Sequence, residues 1–235
     1  MNIRTTLVTS SLIAASLVSG SAHAALEGRD LNGSLDSFEA YYDTDLDITW
    51  LADANYAKTS GHDTDGQMRW DDANTWAANL SFTDGVSVYD NWRLPTVVDT
   101  GTKGCNFAYT GTDCGSNVDT ATGEMAHLFF DELGNKGYYD TSGNANQPGW
   151  GLTNPGPFTN LQAGNYWSAT SFPPGTGLAW DFYFDYGLQH ADGKYNGFYA
   201  LAVSPGDVGA VPEAQTYALM LAGLGLIGWR ARRRA

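Results

Sequence analysis

Aspartates recur at alternate positions in two short polar segments of the chain. A turn can direct such side chains toward one Ca²⁺, which prefers hard oxygen ligands. Neither segment has the later glycine and glutamate of a complete EF-hand loop. Turns are also rich in aspartate without any ion, because Asp hydrogen-bonds its own backbone. The sequence leaves a calcium site and a solvated turn as alternatives, and the candidate ligands are Asp43, Asp45, Asp47, Asp63 and Asp65.

The histidines and serines form no recognisable catalytic motif. Nucleophilic catalysis needs a nucleophile, a base and an orienting group within reach, and beyond the N-terminal leader the only histidines are His62, His127 and His190. The sequence has no G-x-S-x-G and no H-E-x-x-H pattern. Two of its many carboxylates could serve as a glycosidase acid and base, but the sequence does not give their spacing. We therefore predict a non-catalytic protein, with a hydrolase of matrix polysaccharide as the alternative.

Three aromatic residues lie in or directly before a long loop at 140–157 that is rich in Gly, Asn and Pro: Tyr138, Tyr139 and Trp150. Each of these side chains has a broad apolar ring with a polar atom at its edge, which suits contact with an amphipathic ligand such as a sugar. The same rings could also be packed in the interior. Stacking on a ligand is therefore one of two interpretations that remain open.

The chain is acidic. Its 235 residues include 26 acidic and 12 basic side chains, for a net charge of −14. Such a surface repels the phosphate backbone, which excludes DNA and RNA as partners. Its 28 glycines and 8 tryptophans predict short strands and long ordered loops, a composition typical of extracellular binding modules.

Residues 1–24 have the layout of a signal peptide. A positively charged start is followed by an apolar stretch at 7–18 and by small residues at Ala22 and Ala24, the pattern that signal peptidase cleaves. We predict cleavage between Ala24 and Ala25 and export of the mature chain.

Two cysteines, Cys105 and Cys114, enclose a short, turn-rich loop. Since export leads to an oxidising compartment, we predict a disulfide between them. A metal-binding pair and a catalytic thiol are the alternatives. No histidine lies near them in sequence, and two sulfurs alone make a poor zinc site.

The C-terminal segment 211–235 combines a short polar motif, an uncharged run at 217–229 and four arginines. Arginines that follow an apolar run are held on the cytoplasmic side of a membrane. As a helix the run spans roughly 20 Å, against about 30 Å for the hydrocarbon core. The segment therefore predicts a C-terminal membrane helix that acts as a temporary hold.

This order of motif, apolar run and arginines resembles the PEP-CTERM sorting signal of exported Gram-negative bacterial proteins. The resemblance implies a transient inner-membrane anchor and processing by an exosortase near Val211, Pro212 and Glu213. The family motif is Pro-Glu-Pro, and here Ala214 stands in place of the second proline.

The body between the two signals shows alternating strand and helix patterns, which predict an α+β fold. Two helices are expected from apolar residues at helical spacing, one capped by Asp71 or Asp72 and one beginning near Gly123. The segment 179–185 alternates strictly, which predicts a half-buried strand with Asp181 on its outer face. The other predicted strands lie at 38–42, 46–51, 166–170 and 198–203, with a turn at 187–193 and a linker at 206–210.

The order of these elements, with the motifs WRLPT at 92–96 and YWSAT at 166–170, resembles the DUF1566 family, also called the Lcl C-terminal domain. The resemblance implies a C-type-lectin-like domain at 25–205, with mostly antiparallel short strands, two helices and long loops. It also implies non-catalytic surface binding, with polysaccharide or glycosaminoglycan ligands in some members. The motif residues interpreted as structural are Trp92, Arg93, Pro95, Trp167 and Ser168, with Arg93 expected to pair with a carboxylate.

Taken together, the sequence predicts an exported protein of the cell surface or extracellular matrix that binds an extracellular polymer. A polysaccharide hydrolase and a structural surface protein without a small ligand are the alternatives. The expected partners are signal peptidase, exosortase and extracellular polysaccharide, and calcium is the one cofactor for which the sequence offers candidate ligands.

Overall fold

The computed structural model describes residues 26–34, 36–100, 109, 111–172 and 177–209. The predicted signal peptide, Cys105, and the tail with Val211, Pro212 and Glu213 lie outside these residues. Within them, no helix is both long enough and apolar enough to cross a membrane. The described part mixes short strands with few helices, and its sheets are mostly antiparallel, which confirms the predicted secondary-structure content.

The strands form three antiparallel sheets. The described strands are β1 (Leu26–Arg29), β2 (Ala40–Asp43), β3 (Ile48–Leu51), β4 (Phe82–Thr83), β5 (Val88–Tyr89), β6 (Gly115–Ser116), β7 (Asn165–Ser171), β8 (Leu178–Tyr183), β9 (Leu188–Gly193) and β10 (Val203–Pro205). The first sheet has the order β1–β2–β3–β10, the second pairs β4 with β5, and the third has the order β6–β9–β8–β7. The first sheet therefore joins the two ends of the described chain.

In the part of the chain that the structure describes, three short α-helices accompany the sheets: α1 (Tyr56–Thr59), α2 (Trp70–Ala78) and α3 (Glu124–His127). A 3₁₀ turn at Thr120–Thr122 precedes α3, and a π-helical turn at Leu128–Glu132 follows it. The predicted helix cap was wrong. Arg69 occupies the N-cap of α2 and both candidate aspartates lie in the first turn, where their charge suits the positive end of the helix dipole.

A predicted turn and a predicted strand were wrong in type or extent. The segment predicted as a turn at 187–193 is strand β9, which pairs with β8 along its whole length. Its period-2 burial rests on a buried Gln189 and on small residues, so the apolar pattern of a strand is absent from the sequence. The strand predicted at 198–203 is reduced to β10, because Phe198 and Tyr199 make only isolated bridges, to Met68 and Tyr166.

The core of the described residues consists of two large apolar clusters and a smaller third one around Trp180. One joins the first and third sheets to α3 and is centred on Trp50, Phe129 and Phe182. The other packs Trp76 of α2 against Trp92 and the third sheet. Since the two sheets and α2 share these clusters, they hold the surface loops described below in fixed positions.

The described part of the predicted linker, residues 206–209, packs against the first sheet. Asp207 forms a salt bridge with Arg29 of β1, and the backbone N–H of Val208 donates to Thr49 Oγ1. The folded body therefore extends to Gly209 in the described chain.

Candidate functional site

The aspartates predicted as calcium ligands organise local turns. The Oδ1 atom of Asp43 accepts the backbone N–H groups of Asp45 and Leu46, and that of Asp63 accepts those of Asp65 and Gly66. Asp47 accepts the Tyr42 hydroxyl instead. Among the described residues, neither group of three convergent metal-ligating side chains includes Asp45, Asp47, Asp63 or Asp65. The calcium site therefore stays a prediction to which this geometry adds no support.

The first convergent group consists of Asp43, His127 and Glu132. Its atoms already have partners. Trp50 Nε1 donates to Asp43 Oδ2 at 3.2 Å, and the two His127 nitrogens lie 3.1 Å from Asp131 Oδ2 and 3.2 Å from Glu132 Oε1. Burial and then the charge of Asp43 raise the pKa of Glu132, while His127 opposes the shift. Each member of this group therefore has hydrogen-bond or ion-pair partners of its own, and the group brings α3 and the π-helical turn close to β2.

The second convergent group consists of Asp181, His190 and Asp192, whose ligand atoms lie within 4.8 Å of one another. Asp181 and His190 are directly opposed partners on β8 and β9, and Asp192 follows His190 on the same face because strand side chains alternate. His190 Nδ1 lies 3.6 Å from Asp192 Oδ2, and the Tyr183 hydroxyl donates to that same oxygen.

Asp181 differs from the other aspartates in its surroundings. It is 0 % exposed, and neither of its carboxylate oxygens has a hydrogen-bond partner among the described residues. Burial raises the pKa of this carboxyl well above its usual range, and the charge of Asp192 raises it further. Buried carboxylates are usually paired or hydrogen-bonded, so Asp181 indicates a missing partner.

Sequence reasoning missed this group. It placed Asp181 on a solvent-facing side of a half-buried strand, whereas Trp167 on β7 and His190 on β9 flank it in the centre of the third sheet. The usable signal was an aspartate within the apolar segment 178–184, followed by a histidine and an aspartate two positions apart. These residues can be recognised as neighbours only once β9 is known to be a strand paired with β8.

The three aromatic residues predicted to contact a ligand do come together. Tyr138 packs edge-to-face against Tyr139 and Trp150, with ring centroids 4.8 Å apart in both pairs. Two further tyrosines complete the group: Tyr186 lies 5.4 Å from Tyr138, and Tyr109 lies 5.3 Å from Tyr139. We call these five residues the aromatic patch. Tyr186 and Tyr109 were missed, because each lies in a different loop.

Loop hydrogen bonds hold the aromatic patch in place. Gln147 Nε2 donates to the carbonyl groups of Gly137 and Tyr139, each at 2.7 Å, and the Tyr138 N–H donates to the Tyr186 carbonyl at 2.8 Å. Tyr186 and Tyr109 are 42 % and 39 % exposed, and the other three rings are half-buried. The patch is thus a fixed, partly exposed apolar surface.

The two sequence motifs meet in the core. Trp92 and Trp167 are buried, and their indole N–H groups donate to the carbonyls of Tyr89 and Met68. The Pro95 carbonyl accepts the Ala169 N–H at 2.7 Å.

Other motif residues bind local partners. Arg93 forms two hydrogen bonds of 2.7 Å with the Glu124 carboxylate, and Ser168 Oγ is buried and accepts the Thr170 N–H. In this structure the motif residues hold the fold together.

A cleft of about 660 Å³ lies beside α2. His62, Asp63, Arg69 and Asp72 contribute to its lining, and none of them belongs to either described group of three convergent metal-ligating side chains.

Cys114 is buried and is not a free thiol. Since Cys105 lies outside the described residues, the pairing of the two cysteines stays a prediction.

The C-terminal tail matches a known protein-sorting signal. Residues 210–234 match the PEP-CTERM protein-sorting motif. The match begins directly after the last described residue of the body and covers the predicted tail. It points to an exported protein that is held transiently in the membrane and processed by an exosortase. No curated protein and no solved structure matches the chain.

Proposed function

We propose that this exosortase-processed protein reaches the cell surface or extracellular matrix, where its folded domain binds an extracellular polysaccharide without catalysis. The aromatic patch is the observation that carries the proposal. It presents the three aromatic residues expected from the sequence, and two more, on one continuous surface.

The shape of the patch suits an extended polymer. Tyr138 lies between two tilted pairs, Trp150 with Tyr186 at an interplanar angle of 38° and Tyr109 with Tyr139 at 49°. Tyrosine and tryptophan combine apolar rings with a hydroxyl or N–H at the edge, so they contact apolar faces and hydroxyl groups of one ligand. Because five such rings adjoin one another at a partly exposed site, we expect them to contact successive units of a polymer.

The negative charge of the protein argues against negatively charged polymers as ligands. A net charge of −14 repels polyanions such as sulfated glycans. We expect neutral or amino sugars as ligands, and the matrix around the cell is where an exported protein would meet them.

The proposed kinship to DUF1566 and its C-type-lectin-like fold rests on the two sequence motifs. Two observations support that kinship: WRLPT and YWSAT meet through Pro95 and Ala169, and YWSAT lies on β7 of the third sheet. Fold analogy alone does not assign a ligand, so the aromatic patch bears the functional argument.

The experiment is a binding assay with the full-length protein on immobilised cellulose, chitin and dextran, with heparin as the polyanion. We expect saturable binding to at least one uncharged or amino polymer. Trp150→Ala and Tyr186→Ala should each weaken it by about tenfold, because a buried aromatic contact contributes more than about 1 kcal/mol.

The matched control is Tyr195→Ala. Tyr195 is 77 % exposed and lies outside the aromatic patch, so its removal should leave binding unchanged. Equal losses in Tyr195→Ala and Trp150→Ala, or no binding to cellulose, chitin or dextran, would contradict the proposal. Release of reducing sugar during the assay would instead support the hydrolase alternative.

A further inference from the structure

We propose that Asp181, His190 and Asp192 form a binding site for one divalent transition-metal ion. The site is separate from the aromatic patch, and the inference does not depend on polysaccharide binding. The inference rests on three potential ligands that converge from two paired strands. The most buried of them, Asp181, has no hydrogen-bond partner among the described residues.

The strand register brings the three side chains to one place. Asp181 and His190 are cross-strand partners, and side chains of directly opposed residues lie about 5 Å apart at Cβ. Asp192 lies two positions after His190, on the same face of β9. Two ligands that are each about 2.1 Å from a metal are at most about 4.2 Å apart. The observed limit of 4.8 Å leaves only small side-chain adjustments.

Asp181 gives the reason for assigning a cation rather than a solvated acidic surface. Its two oxygens are buried and unpaired among the described residues, whereas Asp43 in the other group accepts three hydrogen bonds. A bound cation would satisfy both oxygens of Asp181 and relieve its repulsion from Asp192. In the Asp43 group, both oxygens of the buried aspartate already accept hydrogen bonds.

The donor set selects the class of metal. An imidazole with two carboxylates suits Zn²⁺, Mn²⁺ or Fe²⁺, because Ca²⁺ and Mg²⁺ prefer oxygen ligands throughout. Three protein ligands leave coordination positions for water or for an external ligand. His190 and Asp192 side chains are 27 % and 26 % exposed, so an ion can enter from their side.

Tyr183 supports the proposed ligands from outside. Its hydroxyl donates to Asp192 Oδ2, and its ring lies 6.0 Å from the His190 ring. Hydrogen bonds of this kind orient metal-binding carboxylates and contribute about 10–100-fold to affinity. Tyr183→Phe therefore provides a graded test between the intact site and loss of a ligand.

The test uses the full-length protein without a histidine tag, stripped with chelator and titrated calorimetrically with Zn²⁺, Mn²⁺ and Ca²⁺ in turn. We expect one Zn²⁺ or Mn²⁺ per chain and weaker or no Ca²⁺ binding. Asp181→Asn should reduce affinity by more than about 100-fold, and Tyr183→Phe by about tenfold. Asp185→Asn is the matched control, since Asp185 follows the same strand but lies outside the group.

Thermal unfolding separates the site from the fold. Metal should raise the midpoint of the wild type with concentration, because only the native state binds it. Asp181→Asn removes a buried charge but keeps the shape, so its metal-free midpoint should equal or exceed that of the wild type while the metal-dependent rise disappears. Wild-type binding by Asp181→Asn, the absence of stoichiometric Zn²⁺ or Mn²⁺ binding, or binding of Ca²⁺ alone would overturn the proposal.

Discussion

Arg93 and Glu124 join the WRLPT segment to the start of α3 through two parallel hydrogen bonds of 2.7 Å. The same carboxylate also accepts the Thr96 backbone N–H at 2.7 Å. The side chains are 31 % and 16 % exposed, so water only partly screens the pair. One glutamate thus fixes both the side chain and the backbone of the motif.

Removal of this salt bridge should destabilise the protein. We expect Arg93→Ala to lower the free energy of unfolding by about 2 kcal/mol, because charge-assisted hydrogen bonds contribute about 1.5–3 kcal/mol. Arg93→Lys should recover only part of the loss, since lysine cannot form the two-point contact. Urea unfolding measures the change. Arg69→Ala is the control, because Arg69 is exposed and makes no side-chain cap, and an equal loss in that variant would contradict this role.

Asp43 should stabilise the first sheet without calcium. Asp43→Ala leaves the backbone N–H groups of Asp45 and Leu46 and the buried indole N–H of Trp50 without their acceptor, and a buried unsatisfied group costs about 1–3 kcal/mol. We expect a loss of about 2–4 kcal/mol in thermal or urea unfolding. Asp45→Ala, at an exposed position, should be nearly neutral. Both variants should respond identically to calcium and to chelator. A stabilisation by calcium that both variants lose would instead favour the calcium loop predicted from the sequence.

How far the sequence predicts the fold is illustrated by α2 and β9. The apolar spacing of Ala73, Trp76 and Ala77 correctly predicts the buried face of α2, because helix burial follows a local period. β9 was missed, because its largest buried side chain is Gln189, whose Nε2 donates to the Asp113 carbonyl. A polar strand residue that bonds a carbonyl distant in sequence leaves no local signal.

The candidate sites divide in the same way. Tyr138 and Tyr139 are adjacent in sequence and close to Trp150, so the centre of the aromatic patch was predictable. The Asp181 group depends on the register between β8 and β9, and a shift by one residue would separate Asp181 from His190. Register is set by pairing across the sheet, which composition and spacing do not determine.

Gly66 should tolerate a side chain less well than Gly61. Both have positive φ, 82° and 76°, but a Cβ on Gly66 would lie 1.8 Å from Asn55 Oδ1, whereas Gly61 has open space. We expect Gly61→Ala to cost about 1 kcal/mol from backbone strain alone, and Gly66→Ala to cost clearly more. Urea unfolding of the two variants measures both losses of stability, and their difference gives the cost of the steric clash with Asn55. Equal losses would show that Asn55 moves aside freely.

The final prediction concerns processing of the C-terminal sorting motif. The match at residues 210–234 includes Pro212 and Glu213, which the resemblance places at the processing site. We expect Glu213→Ala to leave the unprocessed chain in the membrane fraction, measured by immunoblot of fractionated cells. Gln215→Ala, two residues away, should be processed normally.

Ala214→Pro restores the family's second proline and should raise the processed fraction above that of the wild type, because proline would hold the chain extended at the site. Normal processing of Glu213→Ala would contradict the assigned role of the motif. A lower processed fraction in Ala214→Pro would show that this enzyme prefers alanine at position 214.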